Sequence, residues 1–338
     1  MSFRSQGRQV AGTILLAMAA VAQAATSQQQ ATADAITRAM EAVVGVEVTA
    51  AEDARSAEAL GEEREGSGVV ISADGLILTI GYLILEADTI QITTHDNRVV
   101  PARVVGYDQA SGFGLVRTVL PLRGIQPVVL GNARELPVRA PLLAATGGED
   151  GGMGVTELVS ARPFSGFWEY HIDRALFTSP PVRNHSGAPL FNRRGELVGI
   201  GSLFVGNAFG DDRPLPGNMF VPVDLLKPVL AEMQQTGSTR GSHRPWLGLS
   251  STERGGRIQI VRVSRDSPAQ DAGLAPGDFV LAIDGEKVTT LEGFYKRLWA
   301  RAEPESEVLL TVLKGADVLQ VKVQAVDRLK TMRSPAGI

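Results

Sequence analysis

The sequence predicts a mainly β protein of two domains. Short β-branched runs separated by turn signals recur from residue 68 to residue 223. A small, polar stretch at 236–242 interrupts this pattern, and a second unit with strand-like runs and one helix follows from Trp246. A chain of 338 residues, 44% of them hydrophobic, is long enough and apolar enough for two packed cores.

The strand-like runs of the first unit are four to eight residues long and alternate with turn signals such as Ala-Asp-Gly at 73–75. Regular short strands of this kind are typical of an all-β barrel or sandwich. The predicted strands are 68–71, 76–79, 89–93, 99–105, 113–119, 142–145, 155–160, 197–204 and 219–223.

Other segments of the first unit differ from this pattern. Residues 34–48 begin with the spacing of an amphipathic helix, with Asp34 in a capping position, and continue as a β-rich run. Residues 51–66 are charged and contain glycine, which predicts an exposed loop. Residues 225–235 have helical spacing, and the Thr-Gly-Ser-Thr-Arg-Gly-Ser stretch at 236–242 predicts a flexible linker.

The N-terminus has the pattern of a secretory signal peptide. Arg4 and Arg8 precede an apolar run at 10–21, and Ala-Gln-Ala at 22–24 fits a cleavage site. We therefore expect residues 1–24 to be removed and Ala25 to begin the mature chain. The apolar run is shorter than the ~20 residues that a membrane-spanning helix needs. An uncleaved membrane anchor is the alternative, and no later stretch is long enough to span.

Composition excludes several classes of function. The 33 basic and 37 acidic residues give a net charge of -4 without a basic stripe, so nucleic acid is not an expected partner. The absence of cysteine excludes disulfides, thiolate metal sites and cysteine nucleophiles. The glycine-rich segment 147–154 lacks the Lys-Ser/Thr of a phosphate loop and predicts a mobile surface loop instead. We expect neither a cofactor nor a metal site.

Three motifs in order carry a resemblance to a known family. They are Gly-Ser-Gly-Val-Val-Ile at 66–71 with Asp-Gly-Leu-Ile-Leu-Thr at 74–79, Asn-His-Ser-Gly-Ala-Pro-Leu at 184–190, and Met-Phe-Val-Pro-Val at 219–223. Their order and spacing resemble the protease domain of the HtrA (Deg) family. The resemblance covers roughly residues 34–327. It implies a trypsin-like domain of two six-stranded antiparallel β-barrels, followed by a PDZ domain.

The resemblance also implies a division of the chain and an assembly. The signal peptide would cover 1–24, the protease-like domain 25–235, a linker 236–244, the PDZ domain 245–327 and a tail 328–338. Family members act in the periplasm, so export implies that compartment here. Trimers are usual in the family, and a homotrimer is therefore the assembly that the resemblance implies, although no residue of the sequence identifies it.

When the sequence is matched to the motifs of this family, two of the three residues of the catalytic triad are replaced. Ser186 falls at the nucleophile, whereas Tyr82 stands where the family has the histidine base and Gly112 where it has the aspartate. A seryl hydroxyl needs a base within hydrogen-bond reach and a carboxylate that orients the base. Tyrosine, with an ordinary pKa near ~10, is a poor base at neutral pH. Asn184 stands at the oxyanion-hole position usually held by glycine, and it tolerates a left-handed backbone.

The four histidines offer few substitutes for the missing base. His185 adjoins Ser186 but points away from it in a tight turn, while His95 lies in a predicted hairpin turn and His243 just after the linker. The position of His171, in an aromatic segment 15 residues before Ser186, leaves it open as a base.

The second unit retains the features of a peptide-binding domain. Trp246, Leu247, Gly248 and Leu249 resemble the loop whose backbone amides bind a peptide's terminal carboxylate. The resemblance places an apolar helical face beside the Leu249 strand, where it lines the peptide groove, packs in the core, or does both. This face consists of Leu291, Phe294, Tyr295 and Leu298.

Three functions follow from these observations. The first is a proteolytically silent scaffold or chaperone-like adaptor that binds peptides or C-termini of envelope proteins. The second is a working serine endopeptidase of periplasmic protein quality control, with a non-standard base or a site completed by a partner. The third is a small-ligand or metal-binding role in the silent cleft. Reaction with a fluorophosphonate probe separates the first two, since it requires an activated Ser186.

Overall fold

The computed structural model describes residues 29–210 and 213–333. The predicted signal peptide, 1–24, lies outside the described residues. The described part of the first helix, α1, covers 29–41. Asp34 therefore lies inside this helix and accepts a hydrogen bond from Gln30 Nε2, at 2.9 Å, so its predicted capping position is wrong. Among the described residues, no helix combines the length and the apolar character needed to cross a membrane.

Six antiparallel strands close the first barrel in the order β1-β2-β3-β6-β5-β4. Two one-turn helices follow β1 and β3, and residues 63–66 belong to β2, so the predicted exposed loop is shorter than expected. The elements are β1 (Val43–Ala50), α2 (Ala57–Leu60), β2 (Glu63–Val70), β3 (Leu76–Ile80), α3 (Gly81–Ile84), β4 (Ala87–Thr93), β5 (Val99–Asp108) and β6 (Phe113–Thr118).

Six further strands close a second barrel in the order β10-β11-β12-β9-β8-β7. The elements are β7 (Pro141–Thr146), β8 (Gly152–Gly166), β9 (Tyr170–Ser179), β10 (Pro189–Phe191), β11 (Leu197–Val205), β12 (Gly217–Pro222) and α4 (Leu230–Thr236). A continuous apolar cluster contains Leu78 of the first barrel and Phe177 and Phe191 of the second, so the barrels share a core. The predicted double six-stranded antiparallel barrel is confirmed.

The glycine-rich segment 147–154 is a surface loop only in part, since residues 149–151 form an exposed turn between β7 and β8. Residues 152–154 belong to β8, and Gly147 lies against the backbone of β1. A Cβ atom at Gly147 would come within 2.1 Å of the carbonyl carbon of Val44, so a larger residue does not fit there.

A compact unit with its own core follows the barrels. Its main sheet has the order β14-β15-β16-β18-β19, β17 pairs with β16, and β13 pairs with β20. The elements are β13 (Pro245–Trp246), β14 (Leu249–Arg254), β15 (Arg257–Val263), α5 (Pro268–Asp271), β16 (Phe279–Ile283), β17 (Glu286–Lys287), α6 (Leu291–Trp299), β18 (Glu307–Lys314), β19 (Asp317–Gln324) and β20 (Val326–Asp327). The predicted helix is α6, and the Thr290 side chain caps it by accepting from the Gly293 amide.

The stretch that joins the barrels to this unit is packed and hydrogen-bonded, not flexible as its composition predicts. Thr239 Oγ1 and Ser242 Oγ donate to the Asp108 carboxylate at 2.6 and 2.7 Å. Burial by itself raises the pKa of Asp108, but hydrogen bonds from Ser111, Thr239 and Ser242 outweigh it and leave the pKa below its ordinary value. The charged carboxylate therefore ties the connection to the end of β5.

Candidate active site and peptide groove

Ser186 lies in a tight turn that precedes β10 and packs against β2. The Ser67 amide donates to the carbonyl of Ser186 at 2.8 Å. Gly187 has φ of 72°, and a Cβ atom there would lie 2.0 Å from the Ser67 carbonyl oxygen. Asn184 has φ of 52°, in the left-handed region that asparagine tolerates better than most residues. These constraints fix the backbone on both sides of the partly buried Ser186.

The structure brings Tyr82 and Ser186 together. The Tyr82 hydroxyl of α3 lies 2.8 Å from Ser186 Oγ and 2.9 Å from the carbonyl oxygen of Ser202. Because a carbonyl only accepts, the phenol can donate to Ser202 while it accepts from Ser186. Burial raises the pKa of Tyr82 to about 12, and the Ser186 hydrogen bond offsets only part of this effect. The only side-chain hydrogen bond of the serine hydroxyl within the described residues thus goes to a neutral phenol.

Gly112 lies between β5 and β6, at the position where the family resemblance places the aspartate of the triad. The side chain of Tyr170 occupies the space beside it. Gly112 has φ of 82°, and a Cβ atom there would lie 3.0 Å from the hydroxyl oxygen of Tyr170. That hydroxyl donates to the Ser111 carbonyl at 2.5 Å. A tyrosine from the start of β9 therefore closes the place that the sequence comparison assigns to a carboxylate.

The described residues offer Ser186 no histidine partner. The ring of His171 is bonded to Ser165 and Asp173, at 2.9 and 3.2 Å, and the ring of His243 to Asp327 and Ser238. His95 is exposed in the turn after β4. Within the described residues no hydrogen bond links the His185 ring to Ser186, and burial lowers the pKa of His185. His171, left open by the sequence, is held elsewhere.

One cluster of potential metal ligands lies beside α6, where none is expected from the sequence. Ligand atoms of His171, Asp173 and Glu292 lie within 4.8 Å of one another. The Lys296 ammonium group lies 2.7 Å from the Asp173 carboxylate and 2.8 Å from that of Glu292. The lysine thus provides a cation to both acids.

The loop at 247–249, which the sequence predicts to bind a carboxylate, holds the side-chain carboxylate of Glu169 in the structure. The amides of Gly248 and Leu249 both donate to Glu169 Oε1 at 2.9 Å, and the Leu247 amide lies 3.3 and 3.2 Å from the two carboxylate oxygens. Gly248 has φ of 85°, and a Cβ atom there would lie 2.3 Å from Ser267 Cβ. The sequence located the donors but not Glu169, which no motif marks.

Burial dominates the electrostatics of Glu169. It raises the pKa of this carboxyl to about 7, although amides of Leu249, Leu247 and Gly248 and the charge of Arg328 act in the opposite direction. The three backbone amides of residues 247–249, which together form an amide nest, therefore hold a carboxyl group that is partly protonated at neutral pH.

The apolar residues expected around the groove are mostly core. Leu291, Phe294 and Leu298 are buried in the hydrophobic cluster of the second unit. Tyr295, on the same helix, faces the barrels: its hydroxyl donates to the Gly166 carbonyl at 2.8 Å. Trp246 pairs with β20 and has Arg328 6.0 Å from its ring centre, so it supports the loop from behind.

Family models match both parts of the chain. Residues 66–200 match the trypsin-like peptidase domain and residues 245–325 match the PDZ domain. Among the structures that the chain resembles, the HtrA-type protease AlgW with a tripeptide has 22% identity and a TM-score of 0.54, over 90% of this chain and 99% of that one. A serine endoprotease from Yersinia pestis has 22% identity and a TM-score of 0.51, over 88% and 97%. These structures support the fold.

Curated relatives extend the similarity along the sequence. Serine endoprotease DegS of Haemophilus influenzae is 28% identical over 263 residues, which are 76% of each chain. A probable periplasmic serine endoprotease DegP-like of Hahella chejuensis is 28% identical over 77% of this chain and 56% of its own length. The chain thus spans little more than half of that DegP-like relative. The chain therefore has a trypsin-like peptidase domain followed by a PDZ domain, and it is similar over about three quarters of its length to the serine endoproteases DegS and DegP-like.

Proposed function

We propose that this protein is a periplasmic HtrA-family protein that binds peptides through its PDZ domain and whose peptidase domain does not hydrolyse them. The observation that carries the proposal is the hydrogen bond between the Tyr82 and Ser186 hydroxyls, where an HtrA peptidase would need a base.

The protonation state of Tyr82 supports a silent site. With a pKa of about 12, only about one molecule in 10⁵ carries the phenolate at pH 7. A neutral phenol accepts a proton poorly, so Ser186 gains little nucleophilicity from this partner. Loss of the nucleophile–base unit of a serine protease lowers turnover by about 10⁶.

The surroundings of Gly112 support the same conclusion. An orienting carboxylate holds the base in one position and stabilises its protonated form. Here position 112 has no side chain, and Tyr170 closes the space beside it. A partner protein that supplied a base would therefore still meet a site without its orienting group.

The second unit supports peptide binding. Three converging amides of the 247–249 loop are donors suited to a terminal carboxylate, and the adjoining strand β14 offers backbone groups for an added strand. AlgW, similar in fold, has been solved with a tripeptide and with a decapeptide. We propose that this chain takes extended segments with free C-termini in the same kind of groove.

The compartment belongs to the proposal as well. Several relatives are named periplasmic serine endoproteases, and residues 1–24 have the pattern of a cleaved signal peptide. Clients would then be envelope proteins.

Hydrolysis of fluorescein-labelled casein tests the silent site. The mature protein should release no fluorescent peptide above the level of its Ser186→Ala variant, because the hydroxyl lacks a base. Turnover that disappears in Ser186→Ala would establish the alternative function, a serine endopeptidase.

Fluorescence anisotropy with paired peptides tests the binding role. A peptide that ends in an apolar residue with a free carboxylate should bind with a Kd of order micromolar, about −8 kcal/mol. The same peptide with an amidated terminus should bind at least about tenfold more weakly, since charge-assisted hydrogen bonds contribute ~1.5 kcal/mol or more. Equal affinity for acid and amide would show that the loop does not recognise C-termini.

A further inference from the structure

The tip of the β8–β9 hairpin reaches the PDZ domain in a fixed shape. These strands have 15 and 10 residues, and their pairing continues to Gly166 opposite Tyr170. Trp168 stacks on Tyr170 with ring centres 5.6 Å apart, and Tyr170 is bonded to the barrel through Ser111. Glu169 has φ of 58°, which turns its side chain out of the hairpin at this point. The barrel thus presents residues 166–169 as a rigid unit.

This tip contacts the PDZ groove as a bound peptide would. The Glu169 carboxylate accepts from the 247–249 amides, and two residues upstream the Phe167 carbonyl accepts from the Ser251 amide at 2.8 Å. The two contacts are spaced alike on both sides: Phe167 and Glu169 are two residues apart in the tip, and their partners Leu249 and Ser251 are two residues apart in β14. One contact is made by a side-chain carboxylate and the other is a backbone hydrogen bond to β14, and a carboxylate in the amide loop with a backbone bond to the adjoining strand is the way in which an added peptide strand binds.

The helix on the other side of the groove joins in the contact. The Tyr295 hydroxyl of α6 donates to the Gly166 carbonyl at 2.8 Å and accepts from the Glu169 amide at 3.3 Å. The tip is therefore bonded to the carboxylate loop, to β14 and to α6.

We propose that residues 166–169 are an internal ligand of the PDZ groove, with the Glu169 carboxylate in place of a C-terminal carboxylate, so that an external peptide binds only by displacing this tip. The second half of this statement rests on the proposed peptide-binding function; the first half does not. The displacing ligand is a peptide with a free C-terminus, because it presents a carboxyl group to the same amides.

The energetics suit a ligand that can be displaced. The tip is tethered, so its effective concentration is of order millimolar and it competes well despite few contacts. Its carboxylate, however, is desolvated in the docked position, as the raised pKa of Glu169 indicates. Displacement of the tip should also affect the barrel, because Tyr170, the residue that follows Glu169, fills the space beside Gly112.

A glycine substitution at position 169 tests the proposal in the full chain. Glycine adopts φ of 58° without strain, so Glu169→Gly removes the carboxylate and preserves the turn. Asp150→Gly is the matched control, because it removes one exposed acid from another loop of the same barrel. The probe is a fluorescein-labelled peptide with the sequence of residues 161–168 followed by a leucine with a free carboxylate.

Two readouts separate the proposal from the function on which it partly rests. Glu169→Gly should bind the probe at least about tenfold more tightly than the parent, while Asp150→Gly leaves the affinity unchanged. Hydrogen exchange should be at least about tenfold faster at the amides of 247–249 and Ser251 in Glu169→Gly alone.

Each outcome has one meaning. Equal probe affinity and equal exchange in the parent and Glu169→Gly overturn the internal ligand, while the peptide-binding function stands. Faster exchange without any probe binding supports the internal ligand and overturns the peptide-binding function.

Discussion

An aspartate at position 112 should destabilise the protein by more than the backbone strain of its positive φ, because its side chain would also collide with Tyr170. A non-glycine residue at positive φ costs about 1–2 kcal/mol, and Gly112 has φ of 82°. The new Cβ atom would also lie 3.0 Å from the Tyr170 hydroxyl and 3.4 Å from its Cε2, and such overpacking adds about 1–3 kcal/mol. We expect Gly112→Asp to lower the free energy of unfolding by about 2–5 kcal/mol.

A second glycine provides the matched control. Gly124 has φ of 85°, and a Cβ atom there would meet nothing within 4 Å. Gly124→Asp therefore carries the backbone strain without the contact, and should cost about 1 kcal/mol.

Urea unfolding of both variants, with a Tyr170→Phe background, completes the experiment. Removal of the hydroxyl should recover about 1 kcal/mol of the Gly112→Asp penalty as a coupling energy and none of the Gly124→Asp penalty. Equal destabilisation by the two aspartates, without coupling to Tyr170, would refute the conclusion that Tyr170 closes this position.

Two further predictions concern the contacts that join the barrels to the PDZ domain and to the connecting stretch. Docking of Glu169 into the amide loop should be about 30-fold tighter at pH 5.5 than at pH 8, because its docked pKa of about 7 lies above the ordinary value of 4.5. The stabilisation of the docked state by protonation is complete below pH 4.5 and is lost as the pH rises through 7. Tyr295 and Arg328 face the carboxyl group, and Glu169→Gln, which leaves both of them and His171 of the hairpin in place, should abolish the pH dependence of the protection of the 247–249 amides against hydrogen exchange. Asp108→Asn should lower the free energy of unfolding in urea by about 1–3 kcal/mol at pH 7, since it weakens the bonds to Thr239 and Ser242. This difference should be complete above the ordinary pKa of 3.8 and should shrink as the pH falls below it toward the lowered pKa of the native carboxylate, because the unfolded chain takes up the proton first.

The sequence predicted the local features of the molecule well. Strand positions follow from β-branched runs between turns, and the positive φ values at Asn184 and Gly187 fit a tight turn around Ser186. The amide nest around Gly248 could be located because its conformation depends on a few adjacent residues.

Contacts between distant residues could not be predicted in this way. Glu169 and the Gly248 amide are 79 residues apart, and Asp108 and Ser242 are 134 apart. Nothing in the composition of 236–242 distinguishes a flexible linker from one whose hydroxyls are bonded to a buried carboxylate. Tyr170 likewise lies in an ordinary strand, and only the fold brings it to Gly112.

Reaction of the protein with a fluorophosphonate probe, followed by intact mass spectrometry, tests the central claim directly. The probe modifies a serine only when its hydroxyl is activated, and Ser186 has a neutral phenol as its partner. The account predicts no mass increase in the parent protein beyond that of Ser186→Ala, at any pH from 6 to 9. Stoichiometric labelling of the parent that is lost in Ser186→Ala would contradict it.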